Sequence, residues 1–155
     1  MRAVRNGSDA DARNGMSLAS LLSGMALANA GLGAAHALSH PLGARFGIPH
    51  GCGCAMLLPR VMEFNLPVAA QKYARVAEAL GENVRGLDAV KAAHRAVERV
   101  QRLAEEIGIP AGLSAFGVRE KDCATIAREA RGSSLDGNPV EAGENDLVGI
   151  LRKSL

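Results

Sequence analysis

The sequence predicts an all-α protein, a multi-helix, bundle-like domain. Three observations carry that expectation. Apolar residues recur at helical spacing along two stretches, Ala69, Tyr73, Val76, Ala77, Leu80 and then Leu87, Val90, Val97, Val100, Ala104, Ile107. No segment alternates apolar and polar residues as a half-buried strand does. Aromatic residues make up only 3% of a chain that is 48% hydrophobic, so its core must be built from small and aliphatic side chains, which suits close helix packing. At 155 residues, folding buries roughly 70% of the unfolded chain's surface, enough for one domain spanning residues 1–155.

The elements follow in order. Ser8, with Asp9 and Asp11 behind it, is a helix-start signal, because an oxygen acceptor and first-turn carboxylates suit the orphan amides of a helix N-terminus. The helix it opens runs toward Asn29, with Gly15 and Gly24 suggesting close approach to a neighbour. Gly31-Leu32-Gly33 marks a break, and Ala34 to Ser39 reads as a second helix ended near Pro41. Residues Gly43 to Pro49 read as a loop. Gly51 to Phe64 is a helix kinked near Pro59, and Asn65-Leu66-Pro67 starts the next. After the two amphipathic stretches come a loop from Ile109 to Val118, a short helix from Lys121 to Arg131 and a last one from Asn145 to Arg152. Met16, Met25, Met56 and Met62 are expected to fill gaps in the core.

Charge and cysteine content narrow the function classes. Eighteen basic and 16 acidic residues are scattered along the chain, so no basic stripe for nucleic acid is present. Three cysteines, an odd number, with no signal-peptide pattern, fit free thiols in a reducing cytoplasm. Residues Met16 to Leu38 approach the length of a membrane span, but their serines, Asn29, His36 and three glycines fit a buried small-residue helix, and no membrane role is expected.

The chemistry centres on His36, His40 and His50. His36 and His40 are four residues apart, so on a helix their rings share one face, and His50 returns after a turn containing Gly43, Gly47 and Pro49. Imidazoles suit zinc, iron, copper and nickel, and three ligands with an open position make a catalytic site. Spacing alone leaves metal binding level with three buried, hydrogen-bonded histidines. Cys52 and Cys54 lie close by, but two residues apart on a helix they point about 200° from each other. They are therefore expected to be small buried side chains. Cys123 reads as structural, and His94, which interrupts an apolar stripe, as a polar-edge residue. Gly31-x-Gly33 lacks the third glycine and the preceding strand of a dinucleotide fingerprint, so no cofactor-binding residue is assigned.

Residues Gly31 to Gly43, with Pro49-His50-Gly51 and Leu57-Leu58-Pro59, strongly resemble the signature of the iron-containing (group III) alcohol dehydrogenases. Asp9-x-x-Ala12-Arg13-x-x-Met16 is similar to the helix that precedes it in that family, and Glu63-Phe64-Asn65, Lys72-Tyr73-Ala74, Gly108-Ile109-Pro110 and Gly137-Asn138-Pro139 follow the family's order. Val140 departs from it, standing where a basic residue is common. The resemblance implies the family's C-terminal helical metal-binding domain. It implies that His36 and His50 are metal ligands and that His40 lies beside nicotinamide and substrate as a catalytic positioning or proton-relay group.

The same resemblance implies a divalent metal, Fe2+ first and Zn2+ second, used as a Lewis acid in NAD(P)-linked interconversion of a small alcohol and its aldehyde. In the family an N-terminal nucleotide-binding domain and two further ligands, an aspartate and a histidine, come before this part, and nothing in these residues matches them. The expectation is thus a partial, truncated member, inactive as this chain alone, with NAD(P) bound through the missing domain and with a complementing chain or a homo-oligomer as its partner. The alternative is a stand-alone, non-catalytic helical module that binds a divalent metal or a partner chain.

Overall fold

A computed structural model of the chain describes residues 1–130 and 132–155, and among these every regular element is helical, as the composition and spacing predict. The order is α1 (Arg2–Arg5), α2 (Ala10–Ala30), α3 (Ala34–Phe46), α4 (His50–Ala79), α5 (Ala89–Glu106), a 3-10 turn (Leu113–Phe116), α6 (Glu120–Glu129), α7 (Ser133–Asp136) and α8 (Glu144–Arg152). The sequence reading carries α6 on to Arg131, which lies outside the described residues.

The main core lies between α3, the first half of α4, α6 and α8, where Leu38, Leu42, Leu57, Ile126 and Leu151 are wholly buried beside Leu113 of the 3-10 turn. Cys123 is buried in the same core, which raises its thiol pKa and fits the structural role expected of it. A second, smaller cluster of Met62, Ala77, Ala96 and Val97 joins α5 to α4. Small residues at these contacts let the two helices lie close.

Several elements differ from the sequence reading, each for a local reason. The cap of α2 is Asp9 rather than Ser8: its carboxylate accepts from the Ala12 amide at 3.1 Å and is also held by the Arg2 guanidinium. Helix α3 does not stop at Pro41. It continues through the proline to Phe46, where Gly47 at φ 65° ends it by donating its amide to the Gly43 carbonyl. An interior proline costs about 3 kcal/mol, and burial of Pro41 and Leu42 in the core offsets it. By the same logic α4 runs unbroken through the buried Pro59, and it also carries the exposed Pro67 inside it.

The largest departure is α2. None of its residues is buried, and Met16, Leu21 and Met25 are 57%, 61% and 57% exposed, so two of the four methionines expected in the core are on the surface. Met56 and Met62 are buried as expected. Gly15 and Gly24 have open space around them, not a close neighbour. Among the described residues no single helix is long and apolar enough to cross a membrane; α2 and α3 reach that composition only together, across a 106° bend.

One side-chain amide ties the break between α2 and α3 to the rest. Asn138 Oδ1 accepts from the Ala34 backbone amide and from Asn65 Nδ2, both at 3.1 Å. Its Nδ2 donates to Asn65 Oδ1 at 2.8 Å and to the Val140 carbonyl at 2.7 Å. Gly33, the residue before α3, has no side chain to cap the helix, so Asn138 does so from 104 residues away. Gly137 makes this approach possible, because a Cβ there would stand 2.2 Å from the Leu32 carbonyl oxygen.

Asn138→Ala therefore removes the acceptor of the first α3 amide and both hydrogen bonds between the two side-chain amides, leaving Asn65 Oδ1 with only the Val140 amide at 3.3 Å. Chemical denaturation should show a loss of roughly 2–3 kcal/mol. Gly137→Ala should cost roughly 3 kcal/mol, the upper end for overpacking. A change of less than 0.5 kcal/mol in both would show that the clasp is not structural.

Candidate metal centre

The turn from α3 to α4 builds the site. His36 sits in the first turn of α3, His40 one turn later, and His50 is the first residue of α4. Gly43 lets the returning chain pass closely, since a Cβ there would lie 3.3 Å from the Ile48 carbonyl oxygen, and Ile48 is buried beneath the turn. The three imidazoles consequently converge. Ring centroids are 4.9 Å apart for His36 and His40, 4.5 Å for His36 and His50, and 5.4 Å for His40 and His50.

Ligand atoms sort these neighbours further. One nitrogen each from His36 and His50 and the Cys54 Sγ all lie within 4.8 Å of one another, a spacing at which one cation can be held; His40 is outside that set. Sequence reasoning set Cys54 aside with Cys52 as small buried side chains, whereas both are only half-buried and Cys54 stands in this set. Cys52 and Cys54 do diverge on α4, but the informative pair is His50 and Cys54, four residues apart and only about 40° apart around the helix. Their Sγ and Nε2 are 3.7 Å apart. His94, by contrast, is exposed on α5, in keeping with a polar-edge residue.

Ser39, buried under the turn, fixes how His50 presents itself. Its hydroxyl donates its one proton to the His36 carbonyl oxygen at 2.7 Å, so toward His50 Nδ1, 3.0 Å away, it can only accept. The proton of neutral His50 therefore resides on Nδ1, and Nε2 carries the free lone pair toward Cys54 and His36. An oriented imidazole of this kind is what a metal ligand needs. For His36, partial burial first, then the neighbouring His50 and His40, hold the pKa below its ordinary 6.5. That favours the neutral, ligating form.

The donor set, imidazoles with a thiol beside them, is chemically suited to a divalent transition metal. It opens on a cleft of about 610 Å³. Leu32, Leu58, Val61 and Met62 give the cleft apolar walls, while His36 and Cys54 stand in its lining together with Asn65 and Asn138. Tyr73 also borders it, and burial pushes its phenol pKa up against the opposing effect of an Asn65 hydrogen bond.

The sequence profile described as "Fe-containing alcohol dehydrogenase family, C-terminal" matches residues 1–155. The chain belongs to that family. It is 41% identical over 154 residues to the 1,3-propanediol dehydrogenase of Klebsiella pneumoniae, covering 99% of this chain and 40% of that protein. It is 37% identical over 155 residues to the NAD-dependent methanol dehydrogenase of Bacillus methanolicus, covering 99% of this chain and 41% of the relative. A crystal structure of a 1,3-propanediol oxidoreductase superposes with a TM-score of 0.97 at 41% identity, again over 99% of this chain and 41% of that one. The chain thus spans about two fifths of the length of these relatives.

Nuclear magnetic resonance titration of His36 should give a pKa below 6.5, and His50→Ala should raise it without restoring 6.5, because burial is the larger cause. Stability linked to this group is full above 6.5 and falls as the pH drops from 6.5 through the folded value, since the unfolded chain takes up the proton first. In Ser39→Ala, imidazole nitrogen shifts should show His50 losing its Nδ1-protonated form. A pKa above 6.5 for His36, or an unchanged tautomer in the variant, would contradict this geometry.

Proposed function

We propose that this domain forms the metal-binding wall of an alcohol dehydrogenase site, catalysing NAD(P)-linked interconversion of a small alcohol and its aldehyde. The observation that carries the reading is the convergence of His36, His40 and His50 at the edge of an apolar cleft, within the fold of an alcohol dehydrogenase family. Relatives whose names specify 1,3-propanediol or methanol favour a short alcohol as substrate.

His36 and His50 would hold a divalent ion, Fe2+ or Zn2+; when bound, it supplies Lewis-acid polarisation of the substrate oxygen. Ser39 keeps His50 Nε2 directed at the centre. His40, exposed and 4.9 Å from the His36 ring, is free to carry a proton between the substrate hydroxyl and solvent. Leu32, Leu58 and Met62 pack the carbon chain and keep water from it. Nicotinamide binding falls to polypeptide beyond these residues, in the same or a second chain, so these residues alone would be inactive. Three free thiols fit a cytoplasmic setting.

The test is turnover of short primary alcohols with NAD and NADP when the nicotinamide-binding part is supplied. His36→Ala and His50→Ala should each lower kcat/KM by roughly 10³-fold with loss of metal, as expected when several kcal/mol of charge stabilisation go. His40→Ala should lower kcat by roughly 10²-fold with metal content unchanged. Full activity in either ligand variant would refute the reading.

The bare apolar side of α2 favours a second, compatible reading in which this chain binds a partner chain through that helix. Size-exclusion chromatography of the 155-residue chain should show self-association that Leu21→Glu with Met25→Glu abolishes. A monomer before and after substitution would exclude it.

A further inference from the structure

We infer that Cys54 is a third metal ligand in this chain, making His36, His50 and Cys54 a nitrogen–nitrogen–thiolate site that takes Zn2+ in preference to Fe2+. The inference rests on the metal centre proposed above but not on the reaction assigned to it.

Three independent features support the assignment. The first is distance. In a tetrahedral zinc shell, bonds of about 2.05 Å to nitrogen and about 2.3 Å to sulfur put the two donors about 3.6 Å apart. Cys54 Sγ and His50 Nε2 are 3.7 Å apart, and His36 closes the triangle within 4.8 Å. The helix itself imposes this match, because residues four apart on α4 stand one turn above each other.

The second is orientation. Ser39 engages Nδ1 of His50, so the lone pair available to a cation is on Nε2, the atom that faces Cys54. Were Nδ1 the free atom, the lone pair would point into the buried turn, away from both Cys54 and the cleft.

The third is position. His36 and Cys54 both line the cleft, so a three-ligand centre there leaves its fourth position toward the space a small ligand would occupy. Cys52, half-buried two residues away, is not in the set and serves as an internal control. Thiolate is the softest donor available and shifts preference from iron toward zinc. Three donors from these residues also form a centre that needs no ligand from elsewhere.

The experiment uses the whole chain, reduced and metal-free, titrated with Zn2+, Fe2+ and Co2+. X-ray absorption of the zinc form should show one sulfur at about 2.3 Å beside nitrogens at about 2.0–2.1 Å. The cobalt form should show a thiolate-to-metal charge-transfer band in the near ultraviolet. Cys54→Ser should remove the sulfur and the band and weaken Zn2+ at least 10-fold more than Fe2+, while Cys52→Ser changes neither. The wild-type spectra do not depend on how any variant folds. Zinc bound through nitrogen and oxygen alone overturns the role of Cys54 and leaves the histidine centre standing. A sulfur that persists in Cys54→Ser but vanishes in Cys52→Ser overturns it as well. Failure of His36→Ala and His50→Ala to weaken any of the three ions overturns the underlying centre together with this inference.

Discussion

The Asn138 amide holds the site in place. It caps α3 in place of a missing side chain at Gly33, pairs with the buried amide of Asn65 on α4, and anchors the Val140 loop. His36 lies two residues beyond the Ala34 amide that Asn138 receives, and the segment from His50 to Asn65 belongs to one continuous helix. The clasp therefore fixes the relative position of the two helices that present the imidazoles. An unpaired buried amide is costly, so satisfied networks of this kind select one arrangement over its near alternatives.

The turn between the helices uses the same economy. Gly47 ends α3, Ile48 anchors the loop in the core, and Ser39 links His36 to His50 through a single hydroxyl. Each contact is short-range in sequence and sets one degree of freedom of a ligand. Together they hold the two imidazoles in fixed orientations. Leu32, Leu58, Val61 and Met62 form the apolar walls of the cleft beside them.

Much of this was legible in the sequence. Helical spacing gave the all-α class and the α5 helix, although of its expected core stripe only Val97 is buried and Val90 is exposed, and the His36 and His40 interval together with the glycine- and proline-marked return to His50 gave the cluster. Prolines misled at Pro41, where burial outweighs the lost hydrogen bond, and at Pro67, which is exposed and is nonetheless carried inside α4, so helix ends fell too early. The Asn138 contact, spanning 104 residues, has no local signal. Cys54 was legible in principle, but comparison with Cys52 instead of His50 concealed it. Exposure of α2 could not be read at all, because a small-residue helix looks the same whether or not its neighbour is present. Its apolar side is the surface on which the rest of the relatives' length, or another chain, has most to gain by packing.

Family membership and fold rest on the whole chain, while the chemistry rests on whether this turn holds an ion. Anomalous diffraction at the metal edge, from crystals of the protein soaked with Fe2+ or Zn2+, addresses that directly. The account predicts one strong peak per chain within about 2.3 Å of an imidazole nitrogen of both His36 and His50. A peak elsewhere on the molecule, or none with the crystals saturated, would contradict it.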